Sequence, residues 1–136
     1  MVSPQASSLG ISIRLKTDFD TAVARVTAAL KVEGFGVLTE IDVKDTFKKK
    51  LDVDYRPYKI LGACNPPQAY RSLQAAPEVG LLLPCNVIVY QLSEEEIEVS
   101  LVDPLVMLGV VAHPEVAEVA LEASARLKRV AESLQD

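Results

Sequence analysis

Apolar and polar residues alternate in the first part of the chain, and the apolar residues then change to a helical spacing. Residues Leu9 to Leu15 alternate with period two, which is typical of a strand with one buried face. Thr17 and Asp20 form a helix-start signature, because a side-chain oxygen can accept from the free N–H groups there. Apolar residues recur at helical spacing from 19 to 30, and Gly34 is well placed to end that helix.

A second strand is predicted from Phe35 to Ile41, with Phe35, Val37 and Ile41 on one side. Asp42 is placed to cap a short second helix, since an aspartate oxygen can accept from the first free N–H groups. The apolar face of that helix consists of Val43, Phe47 and Leu51.

After a loop, Tyr58 to Ala63 is predicted as the third strand. Asn65 followed by two prolines indicates a helix start, because proline at the first helical position loses no needed hydrogen bond. We expect this third helix to carry Tyr70 and Leu73 inward and to stop near Pro77.

Two strands, Val87 to Leu92 and Glu96 to Val102, are predicted to form a hairpin with its turn at 93–95. The apolar stretch Leu105 to Ala112 has no clean period and receives no assignment. Pro114 starts the last helix. Its apolar stripe consists of Val116, Val119, Ala120, Ala123, Leu127, Val130 and Leu134.

The predicted order is β-α-β-α-β-α-β-β-α. A tight antiparallel pair and amphipathic helices favour an α+β fold, a two-layer sandwich whose mostly antiparallel sheet has helices on one face. Residues 1–8 are expected to be a disordered N-terminal lead, and residues 9–136 a single domain.

Composition narrows the class of protein. The chain has 136 residues, 49% of them apolar, and a formal charge of −5, so we expect no nucleic-acid partner. No apolar run approaches the roughly 20 residues of a spanning helix, so we expect no membrane partner. The first residues do not have the pattern of a secretory signal, and two cysteines without such a signal are typical of reduced thiols. We therefore expect a cytoplasmic protein.

Two similar segments could carry chemistry. Cys64-Asn65-Pro66 follows one predicted strand, and Cys85-Asn86 precedes the next. In an antiparallel neighbour pair those strand ends meet, so the thiols are expected to approach each other. They could form a metal, persulfide or redox site with His113, since thiolates are soft ligands and nucleophiles. The alternatives are buried, inert cysteines and a His113 that only starts a helix.

Charged residues around the second helix offer a different candidate. Glu40, Asp42 and Lys44 could do acid–base work, or could be a helix cap with solvated charges. The run from Lys48 to Lys50 could contact an anion or form a solvated helix face. Arg56 and Tyr58 could present a cation and a phenol to a ligand, unless Tyr58 packs into the sheet.

The segments GFGVLTEIDVKDTFKKKL, YKILGACNPPQAY, GLLLPCNVIVY and VSLVDP resemble the bacterial and archaeal family called domain of unknown function 302. The resemblance covers Leu9 to Leu134. It implies a fold similar to the TATA-binding-protein-like class, a β-α-β4-α core with small inserted helices, and it implies a homodimer. It gives no catalytic roles. The candidate site that it carries over is Glu40, Asp42, Lys44, Cys64, Asn65, Pro66, Cys85, Asn86 and Asp103.

Three hypotheses for function follow. The first is a homodimeric module that holds a small ligand or metal near Cys64 and Cys85. The second is a thiol-dependent enzyme or sulfur carrier that uses one of those cysteines. The third is a purely structural dimeric interaction protein. The sequence points to no particular cofactor or substrate.

Overall fold

The structure is a computed structural model that describes residues 5–6 and 9–135, with side chains for 9–135. Its strands are β1 (Gln5–Ala6), β2 (Gly10–Lys16), β3 (Gly36–Asp42), β4 (Tyr58–Cys64), β5 (Cys85–Ser93) and β6 (Glu96–Val102). Its helices are α1 (Phe19–Val32), α2 (Val43–Leu51), α3 (Pro66–Ala75), α4 (Pro104–Met107) and α5 (Pro114–Ser133). Two short 3-10 segments, Pro77–Leu82 and Leu108–Val110, complete the set.

The strands form one sheet in the order β1-β2-β6-β5-β4-β3, and every neighbouring pair is antiparallel. Strands β5 and β6 are joined by the predicted hairpin, whose turn at 94–95 is one residue shorter than the predicted 93–95 because Ser93 belongs to β5. The prediction of an α+β fold with an antiparallel sheet is confirmed.

Alternate residues of four central strands point to one buried face of the sheet. On β6, for example, Ile97, Val99 and Leu101 are all fully buried. Helices α1 and α5 cover this face with their apolar stripes, as their spacing predicts. Burying one such aliphatic side chain contributes roughly 1.5–3 kcal/mol. The helix residues of this core are Ala22, Val26, Leu30, Ala123, Leu127, Val130 and Ala131.

The ends of α1 follow from two local features. Asp18 caps the helix, and its carboxylate accepts from Thr21 N at 3.1 Å. Gly34 ends the turn with a φ of 86°, a left-handed conformation that costs glycine little. Phe35 is thereby returned to the core, where it is 2% exposed.

A bulge in β3 makes the prediction for Ile41 wrong. Val37 pairs with Ala63 but Thr39 pairs with Gly62, so Leu38 is an extra residue. Because strand side chains alternate, one extra residue moves Ile41 to the opposite face from Val37. Ile41 is 49% exposed as a result.

The inward face of α3 also differs from the prediction. Tyr70 and Leu73 are exposed, whereas Gln68 and Ser72 are buried. Helix α3 packs against α5, and the polar residues of this seam face inward. The positions of the apolar residues therefore predicted the wrong buried side for α3.

Two further leucines that were predicted to be buried are exposed. Leu51 of α2 is exposed rather than packed with Val43 and Phe47, and α2 has no buried residue. Leu9 is 71% exposed because β2 begins one residue later, at Gly10.

The stretch without an assignment forms α4 and the 3-10 segment Leu108–Val110. Leu108 packs with Val79, Val116 and Ala120 in a second, smaller core that closes one end of the helix layer.

Of the expected N-terminal lead, residues 1–4 and 7–8 lie outside the described residues, and Gln5–Ala6 pairs with β2. Within the described chain, none of the helices combines the length and apolarity needed to cross a bilayer.

Candidate functional site

The two cysteine segments meet at one end of neighbouring strands, as expected. Cys64 is the last residue of β4 and Cys85 is the first of β5, and Cys85 pairs with Ala63 in the sheet. Both thiols are free. Asn65 caps α3 by accepting from Gln68 N at 3.3 Å, and Pro66 opens that helix.

A small cavity of about 30 Å³ lies between this strand end and helices α3 and α5. Such a volume has room for ordered water but not for a larger ligand. The residues around it include Cys64, Asn65, Gln68, Ser72, Pro84 and Cys85.

Burial keeps both thiols protonated. Desolvation raises the pKa of Cys64 above its usual value of 9.0. Desolvation, with a smaller contribution from the nearby Cys64, raises the pKa of Cys85 from 9.0 to about 11. A nucleophilic or metal-binding cysteine needs the thiolate, so this environment disfavours both roles.

A polar seam that the hydrophobic pattern does not predict lies between α3 and α5. The side-chain amide of Gln68 donates to Glu122, which also pairs with Arg126 at 3.5 Å. Arg126 in turn donates to the backbone oxygen of Glu33 at 3.0 Å. The oxygen of Gln68 is buried without a protein partner, which suits a water in the adjoining cavity. The spacing Asn65-x-x-Gln68, similar to a capping box, was the available signal.

His113 lies at the start of α5, not at the cysteines. Its Nδ1 accepts from Glu115 N at 3.1 Å, so the imidazole caps the helix. Among residues 9–135 no three His, Cys, Asp or Glu side chains lie close enough together to hold one metal ion. The structure therefore does not assemble Cys64, Cys85 and His113 into a metal site.

Two further candidate residues are separated from the cysteines. Asn86 points to the opposite face of the sheet from Cys85, where it lines a shallow recess of about 230 Å³ with Ile88 and Ser100. Asp103 caps α4 and accepts from Leu105 N at 3.0 Å.

The charged candidates gather around α2 instead. Glu40 pairs with Lys59 at 2.6 Å, and this hydrogen bond raises the pKa of the Lys59 ammonium. Asp42 caps α2 by accepting from Asp45 N at 2.9 Å. The Lys44 ammonium donates to the backbone oxygen of Tyr55 at 2.8 Å. These are capping and ion-pair contacts at an exposed surface.

The sheet face opposite helices α1 and α5, which we call the open face, has an apolar half. The strand register aligns Ile41, Ile60 and Ile88 in one row across β3, β4 and β5. The neighbouring row contains Tyr58 and Tyr90, whose rings stack with centroids 5.1 Å apart. An antiparallel face exposed to water normally carries polar residues, so these rows are unusual.

The other half of the open face is polar and paired. The isoleucine row continues into Ser100 and Ser12, whose hydroxyl oxygens are 2.5 Å apart. The tyrosine row continues into Glu98 and Arg14, which form an ion pair at 3.1 Å.

An aromatic recess of about 450 Å³ borders the apolar half of the open face. Helix α2 forms one wall and strands β3 and β4 the other. Phe47 meets Tyr55 edge to face at 5.2 Å, and Tyr55 lies tilted against Tyr58 at 6.2 Å. The aromatic recess is lined by Ile41, Val43, Thr46, Phe47, Tyr55, Tyr58 and Ile60.

A family model described as domain of unknown function DUF302 matches residues 11–134. The chain belongs to the DUF302 family. It is similar to the crystal structure of an uncharacterized conserved DUF302 protein from Bacillus stearothermophilus, with a TM-score of 0.84 and 28% identity. That alignment covers 95% of this chain and 100% of the other. No curated protein matches the chain. The family resemblance drawn from the four sequence segments is thus confirmed.

Proposed function

We propose that this DUF302 protein is a homodimeric binding module in which the open face of the sheet joins two copies of the chain. The observation that carries the proposal is the isoleucine row of Ile41, Ile60 and Ile88 on the face that α1 and α5 leave uncovered, where Ile41 is 49% exposed and the other two are half-buried. Apolar groups in contact with water favour association, because burial removes that surface from the solvent.

The size of the open face supports a dimer. Five long strands spaced about 4.8 Å apart, each about seven residues long, give a face of about 24 by 23 Å. Two such faces pressed together would cover roughly 1,100 Å² in total, which reaches the lower limit for a specific interface.

The distribution of polarity on the open face also supports a specific contact. The apolar rows lie over β3 to β5, while Glu98 and Arg14 lie at the other side. Interfaces between proteins commonly have an apolar centre and a polar rim. In a dimer with a two-fold axis, the apolar rows of one copy would face the same rows of the other copy.

The cysteine end of the sheet fits a structural role better than a ligand site. Its cavity of about 30 Å³ is too small for an organic ligand, and both thiols have raised pKa values. The thiol-enzyme hypothesis therefore receives no support from this environment. Two unpaired cysteines fit a reducing compartment, so a cytoplasmic location remains part of the proposal.

Analytical ultracentrifugation of the full chain tests the dimer. The wild type should sediment at twice the chain mass, and Ile88→Asp should sediment as a monomer with an unchanged circular dichroism spectrum. Leu121→Asp is the matched control, because Leu121 is 60% exposed on α5, away from the sheet. A wild type that stays monomeric, or an Ile88→Asp variant that stays dimeric, contradicts the proposal.

A further inference from the structure

We propose that the aromatic recess binds a planar aromatic carboxylate. The recess is formed by one chain, but Ile41 and Ile60 also belong to the proposed dimer face, so ligand binding is tested on the Ile88→Asp variant, which is expected to be monomeric. Its volume of about 450 Å³ lies within the range of about 300–1,000 Å³ that small-molecule sites occupy. The lining is apolar and aromatic except for Thr46, whose hydroxyl already donates to the Asp42 backbone oxygen at 2.8 Å.

The arrangement of the rings favours a flat ligand. Tyr58 is stacked on Tyr90, with their planes only 11° apart. Phe47 and Tyr55 instead meet edge to face at 72°, so their contact occupies only one face of one ring. Tyr55 is 40% exposed. An added aromatic ring can pack against these rings in offset or edge-to-face geometry, at about 0.5–1.5 kcal/mol for each pair beyond area burial.

The charges near the recess favour an anion. The whole chain has 14 basic and 19 acidic residues, yet residues 40–59 contain six basic and five acidic ones. Arg56 lies beside these rings, with its guanidinium 5.7 Å from the centroid of the Tyr90 ring. Lys44 instead donates to the Tyr55 backbone oxygen and lines a neighbouring recess with Asp42, Asp45 and Asp54.

Arg56 forms no ion pair with a carboxylate in the part of the chain that the structure describes. The nearby lysines differ, since Lys48 pairs with Asp52 at 2.9 Å and Lys49 with Asp45 at 3.0 Å. A carboxylate at the rim of the recess would therefore find Arg56 available while its ring enters the apolar space. Arginine suits this role because its planar fork binds carboxylates with two parallel hydrogen bonds.

Isoleucine methyl NMR of the Ile88→Asp variant tests the site with 2-naphthoate as the probe, because a dimer through the open face would cover Ile60. The chain has six isoleucines, of which Ile41 and Ile60 line the recess and Ile11, Ile13 and Ile97 are buried in the core. Saturable shifts are expected at the methyls of Ile41 and Ile60, with the three core methyls unmoved. No shift at Ile41 or Ile60 up to the solubility limit of naphthoate overturns the proposal.

The contribution of charge is measured with the neutral analogue 2-naphthalenemethanol and the variant Arg56→Gln. Naphthoate should bind more tightly than the alcohol, and Arg56→Gln should weaken naphthoate roughly two- to five-fold, as expected for exposed ion pairs. Equal binding of acid and alcohol overturns the carboxylate part of the inference.

Two variants test the recess itself. Phe47→Ala should remove most of the naphthoate shifts, and Tyr70→Ala, an exposed aromatic on α3, is its matched control. If Phe47→Ala fails to fold, Val43→Phe fills the recess from the start of α2 and should block binding. Sedimentation of the wild type tests the dimer, and naphthoate binding is measured in the Ile88→Asp background, so failure of the dimer and failure of this site are separately visible. Unchanged binding in Val43→Phe contradicts the assignment.

Discussion

At the scale of single residues, burial determines what the two thiols can do. Both cysteines lie where the sequence places them, at adjacent ends of β4 and β5. The hypothesis of a reactive thiol pair rested only on the expected proximity of the two cysteines. The sequence could not reveal the degree of desolvation, which depends on α3 and α5 closing over that end of the sheet. The thiols are therefore better understood as small packing groups.

The raised pKa of Cys85 predicts a stability loss at high pH. The unfolded thiol ionises near 9.0, whereas the folded thiol holds its proton until about pH 11. The folded state binds this proton more tightly than the unfolded state does. The contribution of Cys85 to the free energy of unfolding is therefore fully present below the unfolded pKa and is lost as the pH rises from about 9 to about 11. The free energy of unfolding should fall by about 2–3 kcal/mol relative to Cys85→Ala over that window.

Urea unfolding of the wild type and of Cys85→Ala at several pH values checks this prediction. The comparison cancels the titration of tyrosines and lysines, which both proteins share. A difference between the two proteins that does not change with pH would contradict it.

Gly34 is a second residue with a sharp prediction. An added Cβ would sit in a left-handed conformation, 2.9 Å from the side-chain nitrogen of Asn65. Gly34→Ala should therefore lower the free energy of unfolding by about 1–2 kcal/mol or more. Gly36→Ala is the matched control two residues away, because its Cβ would meet no atom within 4 Å. Equal effects of the two substitutions in urea unfolding would refute this explanation.

At the scale of elements, period and caps predict most boundaries. The long stripe of α5 and the alternation of β6 are unambiguous, because one side of each packs on the main core. The bulge at Leu38 was not predictable, since it depends on pairing with β4. The buried side of α3 could not be predicted from hydrophobicity either, because that side packs on α5 through polar residues that include Glu122 and Arg126.

The packing of α5 gives a prediction at this scale. Leu127 is fully buried in the main core, so Leu127→Ala should cost about 2–5 kcal/mol in the free energy of unfolding. Leu121 is on the same helix but 60% exposed, so Leu121→Ala should change it by about 0.5 kcal/mol or less. Thermal or urea unfolding of both variants checks the orientation of the helix, and a large effect at Leu121 would contradict it.

At the scale of the whole molecule, the sheet separates two different surfaces. Helices α1 and α5 cover one face of the sheet. The other face presents the isoleucine and tyrosine rows and, beside α2, the aromatic recess. The sequence predicted the covered face well. It did not identify the open face, because that face depends on the register that aligns Ile41, Ile60 and Ile88 from three strands.

The cysteines lie at one end of β4 and β5, apart from the isoleucine and tyrosine rows, and this makes a further prediction. The double variant Cys64→Ser, Cys85→Ser should keep the oligomeric state of the wild type in sedimentation, although it should be less stable because the contacts of the buried Cys85 and the half-buried Cys64 become polar. Loss of the dimer in a folded double variant would place the thiol end at the interface and count against the open face.

Isotope-filtered NMR on mixed dimers tests the open-face dimer most directly. Chains labelled only at isoleucine methyls are mixed with unlabelled chains, so that any labelled-to-unlabelled contact must cross between copies. We expect intermolecular NOEs at the methyls of Ile60 and Ile88, and none at the core residues Ile11, Ile13 and Ile97. A dimer with no such NOEs at Ile60 and Ile88, or a chain that is monomeric throughout, would contradict the proposal.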